Sequence, residues 1–241
     1  MDPRSTQPVL EVKELVAGYG RRDVIYGVDL SVNEGEIIAV VGHNGAGKTT
    51  LLKAISGLVN VRSGSVVRAG EDVTSTSTAS RVRRGLWYIP SERFVFGDLT
   101  VAETLGIGAR YGPRDKDDRQ RRLDNVFQTF PILKDRLKQK SGTMSGGQKR
   151  ILSLALVLVA GPKLLLLDEP SLGLAPGLVH EVMDMVKVMA SSNGLGVILV
   201  EQNIPQALRI SVRSYVMRSG RITREALASE LLKNINVWDL L

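Results

Sequence analysis

Ile37-Ile38-Ala39-Val40-Val41-Gly42-His43-Asn44-Gly45-Ala46-Gly47-Lys48-Thr49 runs from a wholly apolar segment into a glycine loop and then a lysine and a threonine. Five apolar residues in a row, without alternation, are the pattern of a strand covered on both faces. The stretch Lys48 to Ser56 reads as a helix, so the order is strand, loop, helix. Within it, Gly42 to Thr49 fits G-x-x-x-x-G-K-[ST], the P-loop pattern, in the context that the pattern requires. Glycines let backbone N–H groups converge on phosphate oxygens, and the helix N-terminus adds partial positive charge. Lys48 can reach β- and γ-phosphates, and the Thr49 hydroxyl can ligate Mg²⁺. A flexible glycine turn would leave the lysine and the threonine unexplained.

Outward from this segment the chain divides in three. On the N-terminal side, Val9 to Val16 and Val24 to Val32 alternate apolar and polar residues around a turn at Gly18-Tyr19-Gly20, which predicts antiparallel β-structure. On the C-terminal side, short strands are expected at Ser65 to Arg68 and Leu86 to Ile89, with a helix at Ala79 to Arg84 between them. From Thr100 to Gln139 the texture becomes charged and helical, with Leu123, Val126, Phe127 and Phe130 on one face of Lys116 to Phe130. Alternation then resumes: helix Ser145 to Val159, strand Leu164 to Leu167, helix Gly177 to Met189, strand Gly196 to Val200, and a helix from Ile204. The expectation is a single α/β domain over residues 1–241, a P-loop fold with a mostly parallel sheet and an N-terminal antiparallel β subdomain. A helical subdomain at about 100–148 is inserted between the two parts of the core.

A magnesium nucleotide needs a carboxylate at the end of a neighbouring buried strand. Leu164-Leu165-Leu166-Leu167-Asp168-Glu169 supplies two. Asp168 suits the metal, and Glu169, one residue on, is placed to orient or deprotonate an attacking water. Alone, such acids would more simply solvate a strand end before Pro170; a P-loop in the same chain reverses that preference. Met144-Ser145-Gly146-Gly147-Gln148 opens a helix and offers a second phosphate cradle from a hydroxyl and glycine amides. One nucleotide does not need two.

The bulk properties exclude several classes. With no cysteine there are no disulfides and no thiolate metal sites. No apolar run approaches the roughly 20 residues that span a bilayer, and the N-terminus lacks a secretory apolar region, so a cytosolic location is expected. The formal charge of +7 permits phosphate, nucleic acid or an anionic surface as partner. Its densest spots, Arg81-Val82-Arg83-Arg84 and Arg119-Gln120-Arg121-Arg122, read as exposed helix faces.

The P-loop, Ser145-Gly146-Gly147-Gln148 and the leucine strand ending in Asp168-Glu169, in that order around a helical insert, resemble the ATP-binding subunits of ABC transporters over nearly the whole chain. The resemblance implies ATP and Mg²⁺ as ligands and ATP hydrolysis coupled to transport. It implies that Gly42, His43, Asn44, Gly45, Ala46, Gly47, Lys48, Thr49 and Thr50 hold the phosphates and that Tyr19 stacks on adenine. Two cassettes pair head to tail in that family, so Ser145, Gly146, Gly147 and Gln148 would close over ATP held by the other cassette. The second cassette is a related chain or a second copy. Transmembrane permease subunits, docking near Ser91 to Phe96 and the helical insert, and indirectly a substrate-binding protein are the further partners implied, at the cytoplasmic face of the membrane and without nucleic acid. Asp168-Glu169-Pro170-Ser171-Leu172-Gly173-Leu174-Ala175-Pro176 with Val200-Glu201-Gln202-Asn203 looks like the LivF-type branch for branched-chain amino acid uptake; urea and short-amide importers look similar. A soluble ABC-type ATPase acting on nucleic acid or the ribosome, and a module that closes on ATP without turnover, are the rival readings.

Three positions depart from the family pattern. Gln202 stands where most members carry histidine near the γ-phosphate, and it cannot carry a proton at neutral pH; that favours Glu169 as the base, with Gln202 beside it. Ser91 stands where the family has a glutamine that contacts Mg²⁺, so either Ser91 acts through a water or Glu92 takes over. Ala175 replaces a frequent aspartate. His43 and His180 do not supply the missing histidine.

Overall fold

The structure, a computed structural model, describes residues 7–91, 95–112 and 115–234. In chain order these form β1 (Leu10–Tyr19), β2 (Arg22–Val32), β3 (Ile37–Val41), α1 (Lys48–Ser56), β4 (Val61–Arg68), β5 (Glu71–Asp72), α2 (Thr78–Arg83) and β6 (Leu86–Ile89). Next come α3 (Val101–Tyr111), α4 (Lys116–Thr129), α5 (Pro131–Lys134), a short 3-10 turn at Ser141–Thr143, α6 (Gly146–Ala160) and β7 (Leu164–Asp168). The last elements are α7 (Pro176–Asn193), β8 (Gly196–Val200), α8 (Ile204–Ile210), β9 (Arg213–Arg218), β10 (Arg221–Leu227) and α9 (Ala228–Asn234). A four-stranded antiparallel sheet has the order β2-β1-β4-β5, and a six-stranded sheet the order β10-β9-β3-β8-β7-β6. All neighbours in the second sheet are parallel except β10, which returns antiparallel to β9.

Two-sided burial explains the unbroken apolar runs. Ile37, Ala39, Val41, Leu165, Leu167, Val197 and Leu199 belong to a core cluster with α3, α6 and α7. Ile38, Val40, Leu164, Leu166, Ile198 and Val200 face the opposite cluster, built with α1 and the antiparallel sheet. Every residue of β3, β7 and β8 is buried. At roughly 1.5–3 kcal/mol for each large aliphatic side chain withdrawn from water, these strands dominate the core.

The expected elements are present, with three changes. β1 continues through Tyr19, so the turn lies at Gly20-Arg21 rather than at Gly18-Tyr19-Gly20. The hairpin β9–β10 beyond α8 was not anticipated; Tyr215-Val216-Met217 is buried there, beside β3. The basic run at the end of α2 is not an exposed face throughout, because Arg81 is buried. Its guanidinium donates to the Ala54 and Ile55 carbonyls at 3.0 and 2.6 Å, and to the Thr74 and Thr76 carbonyls at 2.7 and 3.3 Å. Two of these acceptors are carbonyls at the C-terminal end of α1: Ala54, which also accepts from the Gly57 N–H, and Ile55, at an end where the helix runs out of its own donors. Arg81 therefore anchors the end of the very helix that starts at the P-loop.

Removing it strands buried carbonyls. Arg81→Met is expected to cost about 2–4 kcal/mol in urea-induced unfolding, whereas Arg83→Met, two residues on and exposed, should stay within about 0.5 kcal/mol.

Candidate nucleotide site

The loop between β3 and α1 is shaped by dihedrals that only glycine adopts freely. Gly42, Gly45 and Gly47 have φ of 154°, 83° and 108°. A Cβ on Gly42 would sit 2.1 Å from the Met217 carbonyl oxygen, so any side chain there collides with β9. α1 begins at Gly47 without a side-chain cap and with no acid in its first turn. Its first N–H groups are thus left to an external acceptor, which is the condition for an anion site.

Lys48 is 5% exposed and curls back into the loop, donating to the Gly42 carbonyl at 2.7 Å and the His43 carbonyl at 2.9 Å. An ammonium has three N–H groups, so one remains for a ligand. Burial pushes its pKa down, and the Glu169 and Asp168 carboxylates push it back up. The cavity over the loop, about 370 Å³, is lined by Val24, Asn44, Gly45, Gly47, Lys48, Thr49, Thr50, Glu169 and Gln202.

The acids arrive from β7, two strands from β3. Asp168 is 1% exposed. It accepts hydrogen bonds from Thr49 Oγ1 at 3.1 Å and Tyr88 Oη at 3.0 Å, one on each carboxylate oxygen. Burial raises its pKa, the two hydroxyls pull it down, and Glu169 adds to the rise. One carboxylate beside one hydroxyl fits Mg²⁺, which keeps most of its shell as phosphate and water. Glu169 has φ of 47°, left-handed backbone that costs a non-glycine residue about 1–2 kcal/mol. Its N–H donates to the Val200 carbonyl at 2.8 Å, and its Oε1 accepts from Gln202 Nε2 at 2.9 Å. The two residues expected to share the chemistry are in direct contact.

Three further residues belong to this centre and were not read from the sequence. Tyr88, on β6, holds Asp168. Arg150, on α6, is 1% exposed. It donates to the Pro90, Ser91 and Glu169 carbonyls at 3.3, 3.1 and 3.4 Å. Burial pushes its pKa down to about 10 against the pull of Glu201 and Asp168. Glu201, 1% exposed, accepts from Ser171 N and Ser171 Oγ, both at 2.8 Å. Arg150 and Glu201 tie together the loops that carry the acids. Ser91 is thus held by its carbonyl, to Arg150, with its side chain left to the proposed metal role. Its alternative, Glu92, lies outside the described residues.

The second cradle is built but self-satisfied. Ser145 caps α6 by accepting from Gln148 N at 3.3 Å, and Gln148 Oε1 accepts from Ser145 N at 3.1 Å. Ser145, Gly147 and Gln148 line a different cavity, with Phe130, Ile151 and Leu178. Within one chain they do not meet the Lys48 loop's cavity. Tyr19, 49% exposed, ends β1 at the hairpin whose second strand contributes Val24 to that cavity. His180 is exposed on α7, as expected.

An apolar groove of about 350 Å³ opens beside Tyr88 and Pro90, lined by Leu58, Trp87, Phe96, Ile107, Tyr111 and Leu156 among others. Phe96, Leu58 and Tyr111 are each more than half exposed, at 62%, 55% and 51%. No described helix is long and apolar enough to cross a membrane.

Comparison with known proteins agrees with this geometry. Residues 25–172 match the family described as ABC transporter. The chain is 41% identical over 221 residues to the high-affinity branched-chain amino acid transport ATP-binding protein BraG of Pseudomonas aeruginosa, covering 92% of this chain and 94% of that one. It is 38% identical to the probable branched-chain amino acid transport ATP-binding protein LivF of Archaeoglobus fulgidus, over 94% and 95% of the two chains. It is 32% identical to the lipopolysaccharide export system ATP-binding protein LptB of Escherichia coli, over 95% and 94%. A solved ATP-binding subunit of an ABC transporter superposes with a TM-score of 0.85 at 27% identity, covering 96% of this chain and 97% of that one.

Because the Tyr88 hydroxyl lowers the pKa of Asp168 while burial raises it, Tyr88→Phe must raise it further. A protonated Asp168 cannot hold a dication. On titration from pH 8 to pH 5, Mg²⁺-dependent ATP affinity is expected to fall off at higher pH in Tyr88→Phe than in the parent, with metal-free ATP affinity unchanged. Coincident curves would remove Tyr88 from the metal site.

Proposed function

The chain belongs to the ABC transporter family, and from that premise we propose that it is the ATP-binding and ATP-hydrolysing subunit of an importer for branched-chain amino acids. The observation that carries the substrate is the alignment with BraG over more than nine-tenths of both chains, at higher identity than with LptB. The observation that supports the chemistry is the contact of Glu169 with Gln202 over the Lys48 cavity.

In this reading the uncapped N–H groups of α1 and the third N–H of Lys48 take the β- and γ-phosphates. Thr49 and Asp168 would hold Mg²⁺, which would supply neutralisation of phosphate charge. Glu169 accepts the proton of the attacking water, and its left-handed backbone turns the carboxylate off the line of β7. Gln202 fixes that carboxylate by donating to it and takes no proton itself. Ser145 to Gln148 act on the nucleotide of a second cassette, a related chain or a second copy, because they lie away from the chain's own loop. ATP binding closes the pair and hydrolysis reopens it.

ABC ATP-binding subunits of transporters work with transmembrane permease components, and the groove around Trp87, Phe96 and Tyr111 is the surface that suits a helix of such a partner. Its exposed aromatic and aliphatic side chains offer helix-sized apolar contact. Pro90 lines the groove and Ser91 follows it, and Arg150 holds both their carbonyls, so movement there reaches Glu169 through a single guanidinium. The assembly then sits on the cytoplasmic face of the membrane and receives its substrate from a binding protein on the other side.

Glu169→Gln is expected to lower steady-state ATP hydrolysis by a factor on the order of 10² to 10⁴ while leaving ATP affinity within about threefold; turnover at the parent rate would exclude Glu169 as the base. Gln202→His places a group of pKa near 6.5 against the Glu169 carboxylate. The carboxylate raises that pKa, and the imidazolium that forms occupies the carboxylate as pH falls, so the variant should lose activity on the acid side of neutrality at a higher pH than the parent does. Reconstitution with the cognate permease in liposomes should show ATPase stimulated by leucine, isoleucine or valine with their binding protein; stimulation by urea or short amides alone would replace the proposed substrate.

A further inference from the structure

The residue proposed to carry the adenine sits in a segment with little stiffness of its own. Tyr19 has glycine on either side. Gly20 takes φ of 54°, and Gly18 lies so close to the opposite strand that a Cβ would meet the Arg22 carbonyl oxygen at 2.0 Å. A hairpin tip of this composition has many conformations to lose, at about 1–2 kcal/mol per residue fixed. Within the hairpin Tyr19 pairs with Arg22 and Gly18 with Asp23, and the turn between them, Gly20-Arg21, needs a hold from outside.

Arg62 provides it. It lies on β4, which pairs with the other edge of β1 through Val61 opposite Ala17 and Ser63 opposite Val16. From there its side chain reaches along β1 to the turn. Nη2 donates to the Gly20 carbonyl at 2.8 Å, Nη1 to the Arg21 carbonyl at 3.0 Å, and Nε lies 2.9 Å from Asp23 Oδ1. All three nitrogens of one planar fork are used on three residues of the turn, while two-thirds of the Arg62 side chain is out of solvent. A carbonyl–guanidinium pattern of this kind fixes the path of the backbone, which a single ion pair on the hairpin surface would not. The strand leaving the turn then delivers Val24 to the wall of the Lys48 cavity, and Ile25 to within 3.0 Å of where a Gly47 Cβ would lie. The turn that Arg62 holds is therefore rigidly joined to the phosphate loop on one side and to Tyr19 on the other.

We infer that Arg62 is a positioning residue for the nucleotide base: it pre-organises the Gly20–Asp23 turn so that Tyr19 stands ready beside the phosphate site. Arg62 does not line the Lys48 cavity. It sets affinity for the base half of the nucleotide and leaves the triphosphate half alone. The inference rests on the reading of Tyr19 as the adenine platform, and the test separates the two.

Displacement of a fluorescent ATP analogue from the full-length chain, in the presence of Mg²⁺, is measured with ATP and with inorganic tripolyphosphate for the parent, Arg62→Ala, Arg62→Lys and Tyr19→Ala. Arg62→Ala should weaken ATP roughly fivefold to twentyfold, the scale of losing the ordering of about one residue, and leave tripolyphosphate within about twofold. Arg62→Lys, with a point charge in place of a fork, should recover only part of the loss. Equal losses for ATP and tripolyphosphate in Arg62→Ala would mean a general disturbance of the domain and overturn the inference. So would an unchanged ATP affinity in Arg62→Ala alongside a loss in Tyr19→Ala, which leaves the stacking reading intact. If Tyr19→Ala also binds ATP as the parent does, the stacking reading itself fails and the role of Arg62 goes with it.

Discussion

A parallel strand buried on both faces can present polar chemistry only where it ends. That constraint organises this molecule. β3, β8 and β7 are adjacent, parallel and without an exposed residue, so their side chains are consumed by the two cores. The residues at the C-terminal end of each strand are correspondingly free of the core: the glycine loop with Lys48 after β3, Glu201 and Gln202 after β8, and Asp168 and Glu169 at the end of β7. Neighbouring strands are about 4.8 Å apart. Three strand ends thus bring a cation, an amide, three carboxylates and a hydroxyl to a region about 10 Å across, and the reactive groups meet because the strands must pair.

Within that region the charges are held in check by one another and by neutral donors. Lys48 is desolvated but lies near Asp168 and Glu169. Asp168 is desolvated but receives two hydroxyl hydrogen bonds. A buried charge is costly unless hydrogen-bonded, and here the partners are hydroxyls and main-chain carbonyls rather than tight ion pairs. Such partners keep the groups charged without neutralising them, which leaves the lysine and the carboxylate available to phosphate and metal. The backbone strain at Glu169 belongs to the same arrangement, since the fold holds the residue off the strand axis through the Glu169 N–H to Val200 carbonyl bond.

Legibility in the sequence tracked the range of the interactions. The P-loop and the Asp168-Glu169 pair were readable because their chemistry depends on neighbours in the chain: glycine dihedrals, a helix start, a buried strand ending. The capping of α6 by Ser145 and Gln148 was local too. Tyr88, Arg150 and Glu201 were not readable, because each is fixed by partners 30 to 80 residues away. Arg81 was not either, because a run of arginines looks alike whichever one turns inward. A guanidinium that satisfies carbonyls on other elements leaves no periodic trace. The hairpin after α8 carried a short apolar run, Tyr215-Val216-Met217, too brief to separate from a helix segment without knowledge that β3 still had an open edge. The hold on Ser91 was not readable for a related reason: it is made by the main-chain carbonyl, to Arg150 59 residues away.

The two helix starts offered as phosphate cradles differ in a way that orders their use. α1 begins with no side chain on its amides, whereas α6 begins with a closed capping box in which Ser145 and Gln148 satisfy each other. An anion arriving at α1 displaces only water. An anion arriving at α6 must compete with Ser145 for the Gln148 N–H, and a cap of this kind stabilises a helix by about 1 kcal/mol. In the proposed pairing of two cassettes, the first cradle would therefore take a triphosphate in a single chain, and the second would become favourable only when a nucleotide is already presented to it at high local concentration on the surface of the other cassette. The sequence duplicates the cradle, but the capping makes the copies unequal, and that inequality places nucleotide loading before closure.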